Sequence, residues 1–391
     1  MKFVIFHGAY GTADGNWFPD LKEKLESLEQ DVIIEQFPVE SYEEVERTGE
    51  GYIVSNQTLD KWMAVFRDKI LGKLKKNEKL CFIGHSLGCV FILHILERYK
   101  IKLDSAIFVS PFLKPLHNWI FDVVNKTFYK SNFDWGELRR LVPISYVLYS
   151  ETDPYVSVQQ FFEFAESMRS SLIPVRRAGH LNMEVNLNEF PLVYELCKSR
   201  IDLSIYQRYL EHRRELYSLP YVKGKVEEEI YIDPKEVVDE GIFHFSNLRK
   251  GGFCTFYTSP NYFEPHSVYM ETARKAAKRV PLTRVFVVSR KSDLKKQTVT
   301  EQIKSDLAAG IKVYLCMWQK LKPMMKEPDW GLWDGEYLCT VHYTKNKVNE
   351  VRLSSRKRDL AAARKWQAEV LKKAVKVSSM EDVERFASQP S

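Results

Sequence analysis

Gly84-His85-Ser86-Leu87-Gly88 decides how this chain folds. It closes a β-rich run, Lys79-Leu80-Cys81-Phe82-Ile83, and opens an apolar run of helical length, Cys89-Val90-Phe91-Ile92-Leu93-His94-Ile95-Leu96. G-x-S-x-G set between a strand and a helix is the pattern of a nucleophile elbow. Glycine is required at both ends because a Cβ at either would strike the strand or the helix, and the serine between them is held under strain at the carboxyl end of the strand. The helix that begins there turns the Leu87 N–H and its dipole toward negative charge developing beside Ser86.

Working outward, residues 3–6 read as a first strand ending in His7-Gly8-Ala9-Tyr10-Gly11. An oxyanion needs a second backbone donor from such an early strand-to-helix loop, and Ala9 or Tyr10 is the candidate. A helix over 20–28 and a strand over 31–37 follow. A helix over 58–74 is next, with Leu59, Trp62, Val65, Phe66 and Ile70 at helical spacing. After the elbow comes a buried strand at 105–110, stopped by Pro111. Residues 112–136 are unusually aromatic for a connection. An excursion past the carboxyl end of a central strand hangs over the nucleophile, so we expect a substrate wall or short cap there, with Trp17, Phe112, Trp119 and Trp135 lining it; the alternative is a surface helix with a core-facing stripe. A strand at 145–150 runs into Glu151-Thr152-Asp153-Pro154-Tyr155, a helix at 159–168 follows, and a last strand at 172–175 ends in Ala178-Gly179-His180-Leu181-Asn182. Strands alternating with helices imply a mostly parallel sheet covered on both faces.

A serine hydroxyl is a weak nucleophile until a base takes its proton, and a histidine does so well only when its ring is held and its charge balanced. Ser86, Asp153 and His180 each follow a strand, in the order Ser, acid, His of α/β-hydrolases. They are the expected catalytic residues. The competitors fit less well: Asp104 precedes a strand, Asp134 lies in the aromatic excursion, and His117 precedes Asp153. His85 is the x of the elbow and is expected to point away from the attack face, and His94 lies in an apolar helix. Cys89 has no activating neighbour. No His, Cys, Asp and Glu cluster has ligand spacing, so neither metal nor other cofactor is expected.

These stretches make residues 1–200 resemble the serine hydrolase family of retinoblastoma-binding protein 9 and its bacterial relatives. The likeness rests on His7-Gly8 with the Trp17 region, Gln57-Thr58-Leu59 before Trp62, Gly84-His85-Ser86, Val109-Ser110-Pro111-Phe112, Phe133-Asp134-Trp135, Asp153-Pro154-Tyr155 and Gly179-His180-Leu181-Asn182. It implies a small α/β-hydrolase with little or no lid, the nucleophile, acid and base at Ser86, Asp153 and His180, and hydrolysis of small esters or amides, including aminopeptidase-like activity. Leu87 and the long 112–136 segment depart from the family pattern, so its substrate preference is not carried over.

The chain is long enough for two domains at 391 residues, and with 45% hydrophobic residues it can bury both cores. The expected division is a hydrolase domain over 1–200, a linker helix and crossing segment over 201–240, and a second, smaller α/β domain over 241–391. That last part holds 28 Lys and Arg against 15 Asp and Glu, whereas residues 1–240 are net acidic. Arg274, Lys275, Lys278, Arg279, Lys291, Lys295, Lys296, Arg356, Lys357 and Arg358 leave two readings open there: a basic, solvated surface without a ligand, which is the one expected, and a site for an anionic ligand such as phosphate, a nucleotide or a polyanion. Strands at 283–289 and 311–316, a helix at 298–309, a hairpin of 336–343 with 348–353, and a long helix over 355–377 are expected. The pattern loosely resembles phospholipase-D-like sensor domains. His342-Tyr343-Thr344-Lys345 lacks the spacing their chemistry needs, which implies a silent binding domain. Six scattered cysteines, no signal peptide and no long apolar segment point to a reducing, cytoplasmic setting. The function expected is acyl transfer to water on a small ester or amide; the alternative is a binding or scaffold protein that keeps the fold without turnover.

Overall fold

Strand β1 (Lys2–Phe6), β2 (Asp31–Ile34), β3 (Leu80–His85), β4 (Ser105–Val109), β5 (Ser145–Tyr149) and β6 (Ser171–Pro174) form one sheet in the order β2-β1-β3-β4-β5-β6. Every pairing in it is parallel. The strand sequences explain the order: all residues of β1, β3 and β4 are buried, as continuous apolar strands covered by helices on both faces must be. The edge strands β2 and β6 are shorter and partly exposed, and Pro174, which cannot donate to a ladder, ends one of them. The structure is a computed structural model, and it describes residues 1–221, 228–259, 264–344 and 347–389. Two compact units emerge, one built on Met1–Asp202, the other on Leu203–Pro220 and the described residues from 228 onward.

In the first unit the helix Leu87–Tyr99 is apolar all round, and Leu87 through Leu96 are all buried. The expected 58–74 helix departs from regularity. Thr58 caps it by accepting from the Lys61 N–H, but after Leu59–Val65 it widens into a π turn over Phe66–Ile70 and tightens over Leu71–Lys73. Phe66 and Ile70 both stay buried through that change.

The second unit holds an eight-stranded mixed sheet. Its strands are β7 (Glu229–Ile232), β8 (Gly252–Tyr257), β9 (Leu282–Val288), β10 (Lys312–Met317), β11 (Asp329–Trp333), β12 (Tyr337–Thr344), β13 (Lys347–Ser354) and β14 (Val375–Val377), in the order β14-β10-β9-β8-β11-β12-β13-β7. The inner strands β8, β9 and β10 are parallel and the flanking ones antiparallel.

Two expectations change here. Much of the segment expected to link the domains, Leu203–Pro220 and 228–240, belongs to the second unit, while residues 222–227 lie outside the described residues: Ser204 and Gln207 cap the helix Ile205–Tyr217 reciprocally, its Ile205, Tyr206, Tyr209 and Leu210 are buried, and β7 forms an edge strand. Its charges misled because charge does not imply exposure: Glu211 and Arg214 of this helix are buried. The long helix expected over 355–377 also stops early, at Lys373. Val375 and Val377 instead pair with Leu315 and Val313 on β10, since two valines spaced by two satisfy a strand as well as a helix. Among the described residues no helix is long and apolar enough to cross a membrane.

Candidate active site

The elbow is where the sequence places it, and its geometry explains both glycines. A Cβ on Gly84 would lie 2.8 Å from the Cys89 nitrogen, and one on Gly88 would lie 2.4 Å from the Phe6 carbonyl oxygen of the neighbouring strand. Ser86 sits at φ 54°, ψ −119°, a conformation that side chains other than glycine rarely adopt. Its N–H is fixed by the Val109 carbonyl at 2.8 Å. Because backbone blocks the Gly88 site, Gly88→Ala is expected to lower the free energy of unfolding by about 3 kcal/mol. A urea denaturation curve of the variant measures this, and an unchanged midpoint contradicts the packing argument.

At the carboxyl edge of the first sheet, Asp153 and His180 meet. The Asp153 Oδ2 accepts from His180 Nδ1 at 2.8 Å, with both side chains buried. A carboxylate only accepts, so the proton is on Nδ1 and Nε2 offers a lone pair. The other oxygen of Asp153 is held by the N–H groups of Tyr155 at 2.9 Å and Val156 at 3.0 Å. His180 is itself tethered, because its carbonyl accepts from His85 Nε2 at 2.9 Å and from Ser110 Oγ at 3.3 Å. His85 therefore turns toward the His180 loop and also borders the cavity below, rather than pointing away from it. Ser86 and His180 line one cavity of about 640 Å³, together with Gly8, Ala9 and Tyr10.

The two expected loop donors separate. The Tyr10 N–H is already given to Gln57 Oε1 at 3.1 Å, so it is not available to an oxyanion. Ala9 remains, and the geometry around His7 shows how its peptide is turned. The Phe37 N–H, which can only donate, reaches His7 Nε2 at 3.0 Å; Nδ1 must then carry the proton and donate to the Gly8 carbonyl at 2.8 Å. The Gly11 N–H reaches that carbonyl as well, at 3.2 Å. Across a planar trans peptide C=O and N–H point opposite ways, so pinning the Gly8 carbonyl directs the Ala9 N–H away from His7. Leu87 begins a helix, where the first N–H groups lack an intrahelical acceptor.

Burial lowers the His7 pKa to about 4 and that of His85 to about 3 from a usual value of 6.5. For His85 the neighbouring His180 pushes the same way. Between pH 6.5 and 4 the unfolded chain thus binds more protons than the folded one, and stability falls on acidification by about 1.4 kcal/mol per pH unit for each ring. His94, whose Nε2 is bonded to the Phe128 carbonyl, is lowered by burial too and adds with the same sign. Urea midpoints should hold level above pH 7 and drop steeply from pH 6 to 4.5; a flat profile there contradicts the neutral rings.

None of the four aromatics expected to wall the cavity borders it. Trp17 is fully buried and donates to the Leu181 carbonyl at 3.0 Å, steadying the His180 loop from behind. Phe112 is core, and Trp119 projects partly to solvent. Trp135 packs on Phe133 in a separate groove. The wall is made instead by Tyr42, Phe121 and Tyr155, with the Tyr10 ring, Asn118 and Met183. Phe121 and Asn118 do come from the aromatic excursion, and Tyr155 follows Asp153 by two residues, which is the signal that would have marked it. Tyr155 stands edge-on to the His180 ring at 5.0 Å, and its hydroxyl donates to Glu184. Tyr42 carries no such signal in sequence.

Cys89 is buried with its thiol donating to the Gly84 carbonyl at 3.1 Å, and burial raises its pKa well above the usual value. All described cysteines are free thiols, and no described group of three His, Cys, Asp or Glu side chains could hold a metal ion. In the second unit much of the expected basic surface is matched internally. Arg274 binds Asp306 and Glu271, Lys296 binds Asp293, Arg356 binds Glu229, Arg358 binds Asp359, and Arg279 caps the carbonyls of Phe245 and Ser246. His342 pairs with Glu327 at 2.9 Å, and Lys345 lies outside the described residues.

A six-stranded parallel sheet, an elbow at the end of β3, and an acid and a histidine joined at the same edge define an α/β-hydrolase. A family model described as serine hydrolase matches residues 3–199, half of the chain, and the chain belongs to that family. It is similar to a Bacillus subtilis protein named as a hydrolase, YdeN, with 24% identity over 202 residues, covering 51% of this chain and 95% of YdeN. The solved structure of the ydeN product covers 51% of this chain and 97% of its own at 24% identity and a TM-score of 0.41. Est1E from Butyrivibrio proteoclasticus, solved with ferulic acid bound, matches at 14% identity and a TM-score of 0.37, covering 51% of this chain and 86% of its own.

Proposed function

We propose that the first unit hydrolyses a small ester or amide through an acyl-enzyme on Ser86. The observation that carries this is the 2.8 Å bond from His180 Nδ1 to Asp153, which leaves the other ring nitrogen as a base in the cavity that Ser86 lines. In this mechanism Ser86 Oγ attacks the acyl carbon while its proton passes to His180 Nε2, and Asp153 balances the imidazolium. The Leu87 and Ala9 N–H groups hold the oxyanion. The C–O or C–N bond then breaks as His180 returns the proton to the leaving group. Water, deprotonated by the same ring, attacks the acyl carbon and frees Ser86.

The cavity suits a small molecule with an apolar acyl or leaving group, since Tyr10, Tyr42, Phe121 and Tyr155 supply most of its rings. The likeness to the retinoblastoma-binding protein 9 family supports the same reaction class and leaves ester and amide both in range. The test is turnover of p-nitrophenyl acetate and of aminoacyl amides by the full chain. Turnover lost with Ser86 supports the reading, whereas turnover that survives its loss, or none at all, sinks it.

A further inference from the structure

Gln57 is fully buried, although it is polar and lies 29 residues before Ser86 in sequence. Both ends of its side-chain amide are spent. Oε1 accepts from the Tyr10 N–H at 3.1 Å, and Nε2 donates to Asn125 Oδ1 at 3.1 Å. The first partner is on the loop that carries Ala9; the second ends the helix Trp119–Asn125, which brings Phe121 to the cavity. A planar amide with both ends engaged fixes its two partners relative to each other. The arm is anchored as well, because Glu40 accepts from the backbone N–H groups of Ser55, Asn56 and Gln57.

Tyr10 needs such a hold. It sits at φ 54°, where a tyrosine is strained, and its hydroxyl adds a second tie to the same helix through the Ile120 carbonyl at 2.9 Å. Without an acceptor for its N–H the residue relaxes toward negative φ, the Ala9–Tyr10 peptide rotates, and Ala9 is carried with it. His7 pins the peptide on one side of Ala9 and Gln57 the peptide on the other.

We propose that Gln57 is a positioning residue for the hydrolysis: it locks the Ala9 loop and the wall helix into one unit, so that the Ala9 N–H and the aromatic wall take their places together. The proposal rests on reaction at Ser86. Its test compares the full chain with Gln57→Met, which keeps the volume and loses both bonds, and Gln57→Glu, which keeps an acceptor for the Tyr10 N–H. Turnover of p-nitrophenyl acetate is scaled to the fraction of protein that a fluorophosphonate labels. Gln57→Met is expected to lower kcat by about tenfold to a hundredfold with KM changed by less than about threefold, and Gln57→Glu to recover most of that loss. A residue that served stability alone would lower the melting temperature and leave kcat per labelled site unchanged. If Gln57→Met does not fold, Gln57→Asn, one methylene too short to span both partners, carries the same expectation. The proposal is overturned by a folded Met or Asn variant with kcat within about twofold of the unsubstituted chain, or by a Glu variant no faster than Met. Absence of turnover in the unsubstituted chain overturns the hydrolase reading and this proposal with it; turnover there with an unaffected variant overturns this proposal alone.

Discussion

Ser86→Ala is expected to reduce turnover of p-nitrophenyl acetate by about 10⁴-fold to 10⁶-fold and to abolish fluorophosphonate labelling, with the melting temperature nearly unchanged. The stability side of that expectation comes from the backbone. Alanine keeps the Cβ, so the strained φ of 54° persists, and the substitution removes only the oxygen. Ser86→Gly is the informative companion: it should be as inactive, yet it relieves the strain and is expected to gain about 1 kcal/mol in a urea denaturation, net of glycine's entropy cost. A chain that becomes more stable when its nucleophile is removed is one in which folding energy holds that hydroxyl at the cavity. On the proposed mechanism, the residual rate in either variant measures what the Leu87 and Ala9 N–H groups give without a nucleophile. Full activity in Ser86→Ala would point to another group, and Cys89 could not supply it, being buried on the core side of the turn with its thiol bonded to Gly84.

The elbow was readable because its constraint is local: two glycines, a serine and the flanking runs lie within a single turn, and a Cβ at 84 or 88 meets backbone a few residues away or on the next strand. The sheet was readable for a related reason, since strands buried on both faces are apolar at every position. The cavity wall was not. Aromatic content says that 112–136 buries rings, but not which ring faces the core and which the substrate, and a helix of only two turns gives too little periodicity to decide. So Phe112 went to the core and Phe121 to the cavity. The choice between Ala9 and Tyr10 was beyond reach for another reason: it turns on one acceptor supplied by Gln57, 47 residues further on. In the second unit the error at 201–240 came from reading charge as exposure. A helix with one buried face can carry Arg and Glu on all the others, and Arg214 and Glu211 are themselves nearly buried.

Asp153→Asn is expected to cost about 10⁴-fold in kcat while leaving the fold intact, and the hydrogen bonds around the carboxylate say why. One oxygen accepts two backbone N–H groups, from Tyr155 and Val156, and the other faces His180. An asparagine must keep its carbonyl oxygen toward the two N–H donors, because turning its NH2 there would set donor against donor. The NH2 group is then forced to face His180 Nδ1, which must become an acceptor. The imidazole proton moves to Nε2, where a lone pair is needed to take the proton from Ser86, and the ring is held in the form that cannot act as base. Asp153→Ala removes this enforcement along with the charge and leaves the ring free to choose its tautomer, so it is expected to be the more active of the two despite the larger deletion. Steady-state kcat for both variants decides between this account and a purely electrostatic one, in which the two lose the same charge and fall equally. An Asp153→Asn chain that retains more activity than the Asp153→Ala chain would show that the backbone N–H pair does not dictate how the side chain is turned.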